Sequence, residues 1–186
     1  MALNKVPFNA YSKTVDTDLR EEMTMTRTYV ITGSASGIGE ATAQKLKSLG
    51  QKVIGVDIHN ADVVADLSTH QGRIDAAKNV IELSKNSIDA IIACAGLAHP
   101  TAATVKVNYF GVTEFLNELL PTLTKSKTPR VVITSSVASI MPNSTELVDA
   151  MLANDEAKAV EIAQALVDAA AGGEQLIYGS TKRAIS

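Results

Sequence analysis

Residues 29–39 read Tyr-Val-Ile-Thr-Gly-Ser-Ala-Ser-Gly-Ile-Gly and predict a strand, a tight turn and the start of a helix. Residues 29–31 are β-prone without a polar break, which is typical of a strand buried on both faces of a parallel sheet. Gly33, Gly37 and Gly39 lack the Cβ atoms that would hold a bulky anion away from the backbone. Because free N–H groups and the positive end of the following helix point at this loop, the stretch predicts a site for a dinucleotide pyrophosphate.

The spacing of the three glycines, Gly-x-x-x-Gly-x-Gly, differs from the widespread Gly-x-Gly-x-x-Gly fingerprint. With the preceding Thr32 it resembles, letter for letter, the Thr-Gly-x-x-x-Gly-Ile-Gly signature of the short-chain dehydrogenase/reductase family. Taken alone, the motif leaves open a glycine- and serine-rich turn that binds no ligand. The resemblance implies cofactor contacts from five residues of this loop: Gly33, Ser36, Gly37, Ile38 and Gly39.

Length and composition indicate one globular domain. The chain has 186 residues, of which 46% are hydrophobic and 20% charged, unlike a disordered protein. Its net charge is -3 and it carries no basic cluster, so neither nucleic acid nor an anionic membrane is an expected partner. The chain has one cysteine, Cys94, no apolar run of about 20 residues and no signal-peptide core. We therefore predict a cytoplasmic protein without a metal site.

An aspartate stands where a second buried strand, residues 51–56, is predicted to end. Asp57 lies eighteen residues after Gly39, close to the place where dinucleotide-binding folds carry the acid that binds the adenosine ribose hydroxyls. A 2′-phosphate would be repelled there, and neither Ser36 nor Ile58 supplies the cation that such a phosphate requires. NAD is therefore favoured over NADP as the cofactor. The alternative is an ordinary turn residue at a strand end.

Two other segments resemble cofactor contacts of the same family. Asp66-Leu67 follows a predicted third strand, residues 61–65, and the resemblance implies that it touches the adenine ring; as an isolated dipeptide it would be a turn. Ala95-Gly96 follows a fourth strand, residues 88–93, and allows close approach of a nucleotide. The family's Asn-Asn-Ala-Gly is Ala-Cys-Ala-Gly here, so both asparagines are missing. Cys94 is interpreted as a buried filler and not as a nucleophile.

Tyr178-Gly179-Ser180-Thr181-Lys182 is the only Tyr-x-x-x-Lys in the chain. On a helix, residues four apart share one face, and an ammonium beside a phenol stabilises the phenolate that a general base needs. The resemblance implies a catalytic set in which Tyr178 is the acid/base and Lys182 its activator, both also contacting the cofactor. Ser136 would polarise the substrate oxygen, and Asn108 would hold a water in a proton relay. Each residue alone has a plainer explanation, as surface, loop or solvated helix polarity.

The pattern of elements predicts an α/β fold, a Rossmann-like doubly wound parallel sheet with strand order 3-2-1-4-5. Residues 28–186 form the predicted NAD-binding domain. Residues 1–27 show no sustained period and are expected to be a flexible N-terminal extension, and one hypothesis is that translation begins at Met25. Tyr178 lies forty-two residues after Ser136, and residues 142–173 are predicted to be a helical insertion, with one helix over 146–170.

Several short segments together resemble the bacterial 3-alpha-hydroxysteroid dehydrogenase/carbonyl reductase subgroup. They are Val-Asp-Ile, Ala-Asp-Leu-Ser-Thr, Cys-Ala-Gly-Leu, Val-Asn-Tyr-Phe-Gly and Ser-Ser-Val-Ala-Ser. The resemblance implies an NAD-dependent oxidoreductase that transfers a hydride between a secondary alcohol, such as a hydroxysteroid, or a carbonyl compound and the nicotinamide.

The sequence stops at Ser186, four residues after Lys182, whereas the family continues with two more strands. We therefore expect a C-terminally truncated chain, and the alternative function is a non-catalytic nucleotide-binding fragment of a longer dehydrogenase. A fifth strand, residues 130–135, would then be an edge that favours a homo-oligomer or poor solubility. The helix that starts near Tyr178 is expected to be too short to bury a full apolar face.

Overall fold

The fold is a five-stranded parallel sheet with helices packed against it, in a computed structural model that describes residues 26–169 and 172–186. The order of the strands is β3-β2-β1-β4-β5, which confirms the predicted 3-2-1-4-5. The strands are β1 Thr28–Thr32, β2 Lys52–Asp57, β3 Val63–Val64, β4 Ala90–Ala93 and β5 Arg130–Ile133.

Helices connect β1 to β2, β3 to β4 and β4 to β5, whereas residues 58–62 join β2 to β3 without a helix, and further helices follow β5. The α-helices are α1 Gly37–Ser48, α2 His70–Leu83, α3 Ala102–Val105, α4 Gly111–Leu123, α5 Thr145–Leu152, α6 Glu156–Asp168 and α7 Gln175–Ile185. A π-helix, Lys106–Phe110, joins α3 to α4, and a short 3₁₀-helix, Val137–Ile140, follows β5. Among the described residues, no helix has the length and apolar character needed to cross a membrane.

The strand register brings the predicted site residues to one edge of the sheet. Thr32 of β1 lies beside Val56 of β2 and Ala93 of β4, and Ala93 lies beside Ile133 of β5. The residues that follow these positions therefore leave the sheet together at its carboxyl end, where ligands bind in open α/β sheets.

The main core lies between the sheet and helices α2 and α4. Val30, Ile91 and Leu119 are fully buried, and Phe115 is nearly so. Each side chain of this kind contributes about 1.5–3 kcal/mol by leaving water. Thr69 caps α2 by accepting a hydrogen bond of 3.0 Å from the Gly72 backbone N–H, as its position before the helix predicts.

A second core belongs to the insertion and the helices on which it packs. Leu147 and Met151 of α5, Ala163 of α6 and Ile177 of α7 are fully buried, together with Val105 of α3. The insertion is therefore part of the packed fold. It contains two helices instead of the single predicted one, because Asn154 has a left-handed φ of 57° between them.

The structure modifies three expectations about helices. The helical spacing of apolar residues such as Val112, Phe115 and Leu119 predicts one helix over residues 105–124; the structure is helical from Ala102 to Leu123 but includes the π-helix. The spacing of Ala41, Leu46 and Leu49 predicts an apolar stripe on α1 that faces the core, but Ala41 is exposed and Leu49 is 57% exposed, whereas Ala43 is buried. Helix α7 does not bury a full apolar face, as expected, but it is packed in the fold, since Ile177 and Thr181 are completely buried.

The structure describes only part of the predicted N-terminal extension and most of the insertion. Residues 1–25 of the expected N-terminal extension, and residues 170–171 of the insertion, lie outside the described residues. Arg27, assigned to the extension, is part of the fold, because its guanidinium donates to the backbone oxygens of Asp89 at 3.2 Å and Thr128 at 2.5 Å. Strand β5 is the last strand of the described sheet, and Val132 is 54% exposed there.

Candidate active site and cofactor cleft

The three glycines of the first loop have different structural roles. Gly33 has a φ of 69°, and a Cβ there would lie 2.8 Å from the Ala95 backbone nitrogen. A Cβ on Gly39 would lie 2.1 Å from the Gly33 oxygen. These two glycines therefore allow the loop, α1 and the 94–96 segment to pack together. Gly37 has a φ of 55° with nothing within 4 Å of its Cβ position, so it keeps the loop surface open.

A cavity of about 480 Å³ opens above this loop. All the predicted cofactor contacts outside helix α7 line it, although they come from four separate segments of the chain. They are Gly33, Ser36, Gly37, Ile38, Gly39, Asp57, Asp66, Leu67, Ala95 and Gly96.

Asp57 joins the glycine loop to the end of β2. Its Oδ2 accepts a hydrogen bond of 2.9 Å from the Ala35 backbone N–H, and its Oδ1 accepts one of 2.7 Å from Ile58. The Nδ1 of His59 lies 3.4 Å from the same Oδ1. Because a carboxylate offers about four lone-pair positions, Asp57 retains acceptor capacity toward the cavity that it lines.

The Asp66-Leu67 turn forms another wall. Asp66 Oδ1 accepts from the Ser68 backbone N–H at 2.8 Å, and Leu67 is buried. Arg73 donates to the backbone oxygens of Leu67 at 2.9 Å and Ser68 at 3.2 Å from behind the turn. The turn is therefore held both by its local hydrogen bond from Ser68 to Asp66 and by the Arg73 side chain, which binds two of its backbone oxygens.

Lys182 and Tyr178 lie on one face of α7, as their spacing predicts. The Lys182 ammonium is 5.7 Å from the centroid of the Tyr178 ring, and Nζ donates to the Thr134 oxygen at 2.7 Å. Burial lowers the pKa of Lys182, and the nearby Cys94 acts in the opposite direction. Lys182 is only 8% exposed, so its charge acts in a largely dry environment.

Ser136 is held near this helix by a close backbone contact. Its Oγ accepts from the Ala138 backbone N–H at 3.1 Å and so caps the 3₁₀-helix. A Cβ on Gly179 would lie 3.0 Å from the Pro142 oxygen and 3.4 Å from that of Ala138. Glycine beside Tyr178 therefore lets α7 approach the segment that follows Ser136.

Asn108 lies inside the π-helix and is almost fully buried, at 2% exposure. Its Oδ1 accepts from the Leu97 backbone N–H at 2.7 Å, and its Nδ2 donates to the Leu97 oxygen at 2.9 Å and to Thr181 Oγ1 at 3.2 Å. The Asn108 amide thus connects the segment at Leu97, which lines the cavity, to helix α7. Such π-turns inside helices are frequent at functional sites.

The sequence profile described as short chain dehydrogenase matches residues 27–148 of the chain. The chain belongs to the short-chain dehydrogenase family. This establishes the family resemblance that the glycine motif predicted.

Two relatives each match most of this chain. The 3-alpha-hydroxysteroid dehydrogenase/carbonyl reductase of Comamonas testosteroni is 40% identical over 162 residues, which are 84% of this chain and 62% of that protein. The crystal structure of the 3-alpha-hydroxysteroid dehydrogenase from Pseudomonas sp. B-0831, complexed with NADH, is 40% identical with a TM-score of 0.78. The matched region covers 85% of this chain and 62% of the chain in that crystal structure.

A more distant solved structure agrees in fold alone. The short-chain dehydrogenase from Streptomyces avermitilis is 18% identical, with a TM-score of 0.58 over 80% of this chain and 62% of that one. The chain therefore spans about three fifths of the length of these relatives.

The cavity is also lined by residues that the sequence did not predict. His59, Leu97, Ala103 and Val107 line the cavity. Cys94, predicted to be a buried filler, is half-buried and also lines it. The sequence signal that could have indicated His59 and Cys94 is their position just after the ends of strands β2 and β4. Asn108, Ser136, Tyr178 and Lys182 are not among the residues that line this cavity.

Proposed function

We propose that this chain is an NAD-dependent oxidoreductase that interconverts a secondary alcohol and a carbonyl compound. The observation that carries the proposal is the convergence of ten predicted cofactor contacts, from four segments, on one cavity. The pairing of Lys182 with the Tyr178 ring supplies the second element, an acid/base with its activator.

The cleft fits a dinucleotide. Gly37 leaves free space beside the start of α1, where an anion is favoured by the helix N-terminus. Asp57 keeps acceptor capacity for ribose hydroxyls, and the described residues that line the cavity include neither lysine nor arginine. This composition disfavours a 2′-phosphate and supports NAD over NADP. The Pseudomonas relative was crystallised with NADH. Bound here, NAD would supply the hydride acceptor, and NADH the donor.

The chain's own residues would manage the proton. In carbonyl reduction the Tyr178 hydroxyl would give its proton to the substrate oxygen, and in alcohol oxidation the phenolate would take it back. The Lys182 ammonium would stabilise the phenolate. The Ser136 hydroxyl would donate a hydrogen bond to the substrate oxygen. One lone pair of Asn108 Oδ1 is not used by the bonds to Leu97 and Thr181, and it would hold the relay water.

The substrate is proposed to be an apolar alcohol or ketone such as a hydroxysteroid. The segment after Ser136 exposes three large apolar side chains: Val137 at 73%, Ile140 at 80% and Met141 at 54%. Such a surface beside the proton donor suits a hydrophobic substrate. The 40% identity to a hydroxysteroid dehydrogenase/carbonyl reductase supports the same class.

We also propose a homo-oligomer located in the cytoplasm. The exposed edge of β5 supports association, and a single cysteine, Cys94, suits a reducing compartment.

The test is a dehydrogenase assay with NAD and a panel of hydroxysteroids and simple secondary alcohols. This chain is assayed beside one extended by any coding sequence that continues in frame after Ser186. Alcohol-dependent formation of NADH by either chain, lost on Tyr178→Phe, supports the proposal. If both chains bind NAD and neither turns over any alcohol, the non-catalytic nucleotide-binding function replaces it.

A further inference from the structure

Arg73 is a fully buried cation that none of the proposed catalytic steps uses. Its side chain is 1% exposed, and all five of its N–H groups are paired. Nε donates to the Leu67 backbone oxygen at 2.9 Å, and one Nη2 hydrogen donates to the Ser68 backbone oxygen at 3.2 Å. The other three N–H groups donate to carboxylates. Nη1 donates to Glu114 at 2.6 Å, and Nη1 and Nη2 each donate to one oxygen of Glu156 at 2.7 Å.

The partners of Arg73 belong to three separate parts of the fold. Leu67 and Ser68 form a wall of the cofactor cavity. Glu114 is in the first turn of α4, and Glu156 is in the first turn of α6, the second helix of the insertion. The guanidinium also lies 5.9 Å from the ring centroid of Phe110, in the π-helix that carries Asn108. One side chain therefore touches both the cleft and the insertion.

The electrostatics make this arrangement strongly interdependent. Burial alone lowers the pKa of Arg73, but hydrogen bonds and charges from Glu156 and Glu114 outweigh it and raise the pKa overall. A buried charge that loses one partner is left uncompensated, and its surroundings rearrange. If Glu156 is removed, the guanidinium can recover hydrogen bonds only by moving, and such a movement would release the Leu67 and Ser68 oxygens.

We propose that Arg73 and Glu156 are positioning residues that couple the docking of the insertion to the adenine side of the cofactor site. This inference rests on the proposed NAD-binding function. The insertion then acts on cofactor affinity, although none of its residues lines the cofactor cavity. Because coupling between sites is reciprocal, occupation of the adenine side also stabilises α6.

The test compares Glu156→Gln with Glu161→Gln in the full chain. Both residues are in α6 and both substitutions remove one negative charge, but the one partner of Glu161 in the described part of the chain is the exposed Lys158, at 3.2 Å. Calorimetric titrations with NAD and with ADP-ribose measure affinity and binding stoichiometry. Hydrogen exchange of segments 66–73 and 156–168 is followed with and without ADP-ribose.

We expect Glu156→Gln to raise the Kd for NAD and for ADP-ribose by the same factor, about fivefold or more, at unchanged stoichiometry. Without ligand, exchange in segment 66–73 becomes faster than in Glu161→Gln. In the unmodified chain ADP-ribose slows exchange across α6, and Glu156→Gln abolishes that effect. A general folding defect would lower the stoichiometry instead of the affinity.

The outcomes separate this proposal from the proposed function. If the unmodified chain binds NAD and the two variants have the same Kd and the same exchange at 66–73, the coupling is wrong and the cofactor assignment stands. If the unmodified chain binds neither NAD nor ADP-ribose, both proposals are overturned. Should Glu156→Gln fold poorly, Glu156→Asp, which keeps the charge and shortens the reach, is measured in the same way, and an unchanged Kd overturns the coupling.

Discussion

The Nζ atom of Lys182 donates a 2.7 Å hydrogen bond to the backbone oxygen of Thr134, the residue that follows strand β5. This bond ties the helix that carries Tyr178 to the carboxyl end of the sheet. It also places a buried cation beside the Tyr178 ring. The position of the proposed acid/base therefore depends on the sheet edge where the cofactor loops also begin.

The free energy of unfolding should depend on the titration of Lys182. Burial lowers its pKa from the ordinary 10.5. Between the lowered value and 10.5, the unfolded chain binds a proton that the folded chain does not, so the contribution of this residue to stability rises with pH. The cost of burying the Lys182 ammonium lowers the free energy of unfolding by its full amount below the folded-state pKa. This cost disappears above 10.5, where the side chain is neutral in both states.

The measurement is urea denaturation of the unmodified chain and of Lys182→Met from pH 7 upward. The difference in unfolding free energy should move in favour of the unmodified chain as pH rises through this window. Since the other titrating groups are common to both proteins, a difference that stays constant or moves in the opposite direction would contradict the buried ammonium.

Tyr178→Phe should remove the proton donor while leaving the ring in place. In a chain that turns over, we expect kcat to fall by about 10²–10⁴-fold, with the Kd for NAD close to normal. Tyr29→Phe, which removes a hydroxyl from a strand residue, is the matched control. Retention of full turnover by Tyr178→Phe would move the acid/base to another residue.

Arg73→Met should destabilise the fold by about 3–5 kcal/mol, because it breaks a buried, fully hydrogen-bonded ion cluster. Lys158→Met removes a cation from the exposed pair with Glu161 and should cost less than about 1 kcal/mol. Chemical denaturation of both variants checks the comparison. Equal, small losses would show that the Arg73 cluster contributes no more than a surface pair.

The edge at β5 should promote association of this chain with itself. Val131 and Val132 are 45% and 54% exposed on the last described strand, and such an edge pairs readily with another. We expect light scattering to give a mass above that of one chain, and Val132→Lys to lower it. Val64→Lys, on the opposite edge strand, is the control. A monomeric unmodified chain would contradict this expectation.

The strand order and the residues that line the cavity were predictable because both depend on local patterns. Short apolar strands, most of them separated by helices, are typical of a parallel α/β sheet. The carboxyl edge of such a sheet brings Gly33, Asp57 and Ala95 together from distant segments. The cap at Thr69 and the helix end at Gly50, which has a φ of 76°, follow from side-chain and backbone chemistry at single positions.

Other features depend on tertiary contacts that no local pattern reveals. The π-helix at Asn108 places its amide between Leu97 and Thr181, a contact across 73 residues of sequence. The break at Asn154 interrupts a stretch of good helix formers, and buried residues of the second core lie on both sides of it, Met151 before the break and Ala163 after it. Arg73 resembles a solvated helix residue until Glu114 and Glu156 are brought to it by the fold.

Calorimetric titration of the chain with NAD and NADP, for the unmodified protein and Asp57→Ala, tests the central assignment most directly. The cleft geometry predicts that NAD binds more tightly than NADP, and that the difference narrows in Asp57→Ala because the carboxylate no longer binds the ribose hydroxyls or repels a 2′-phosphate. Tighter binding of NADP to the unmodified chain, or an unchanged preference in Asp57→Ala, would contradict the assignment of Asp57 and of NAD.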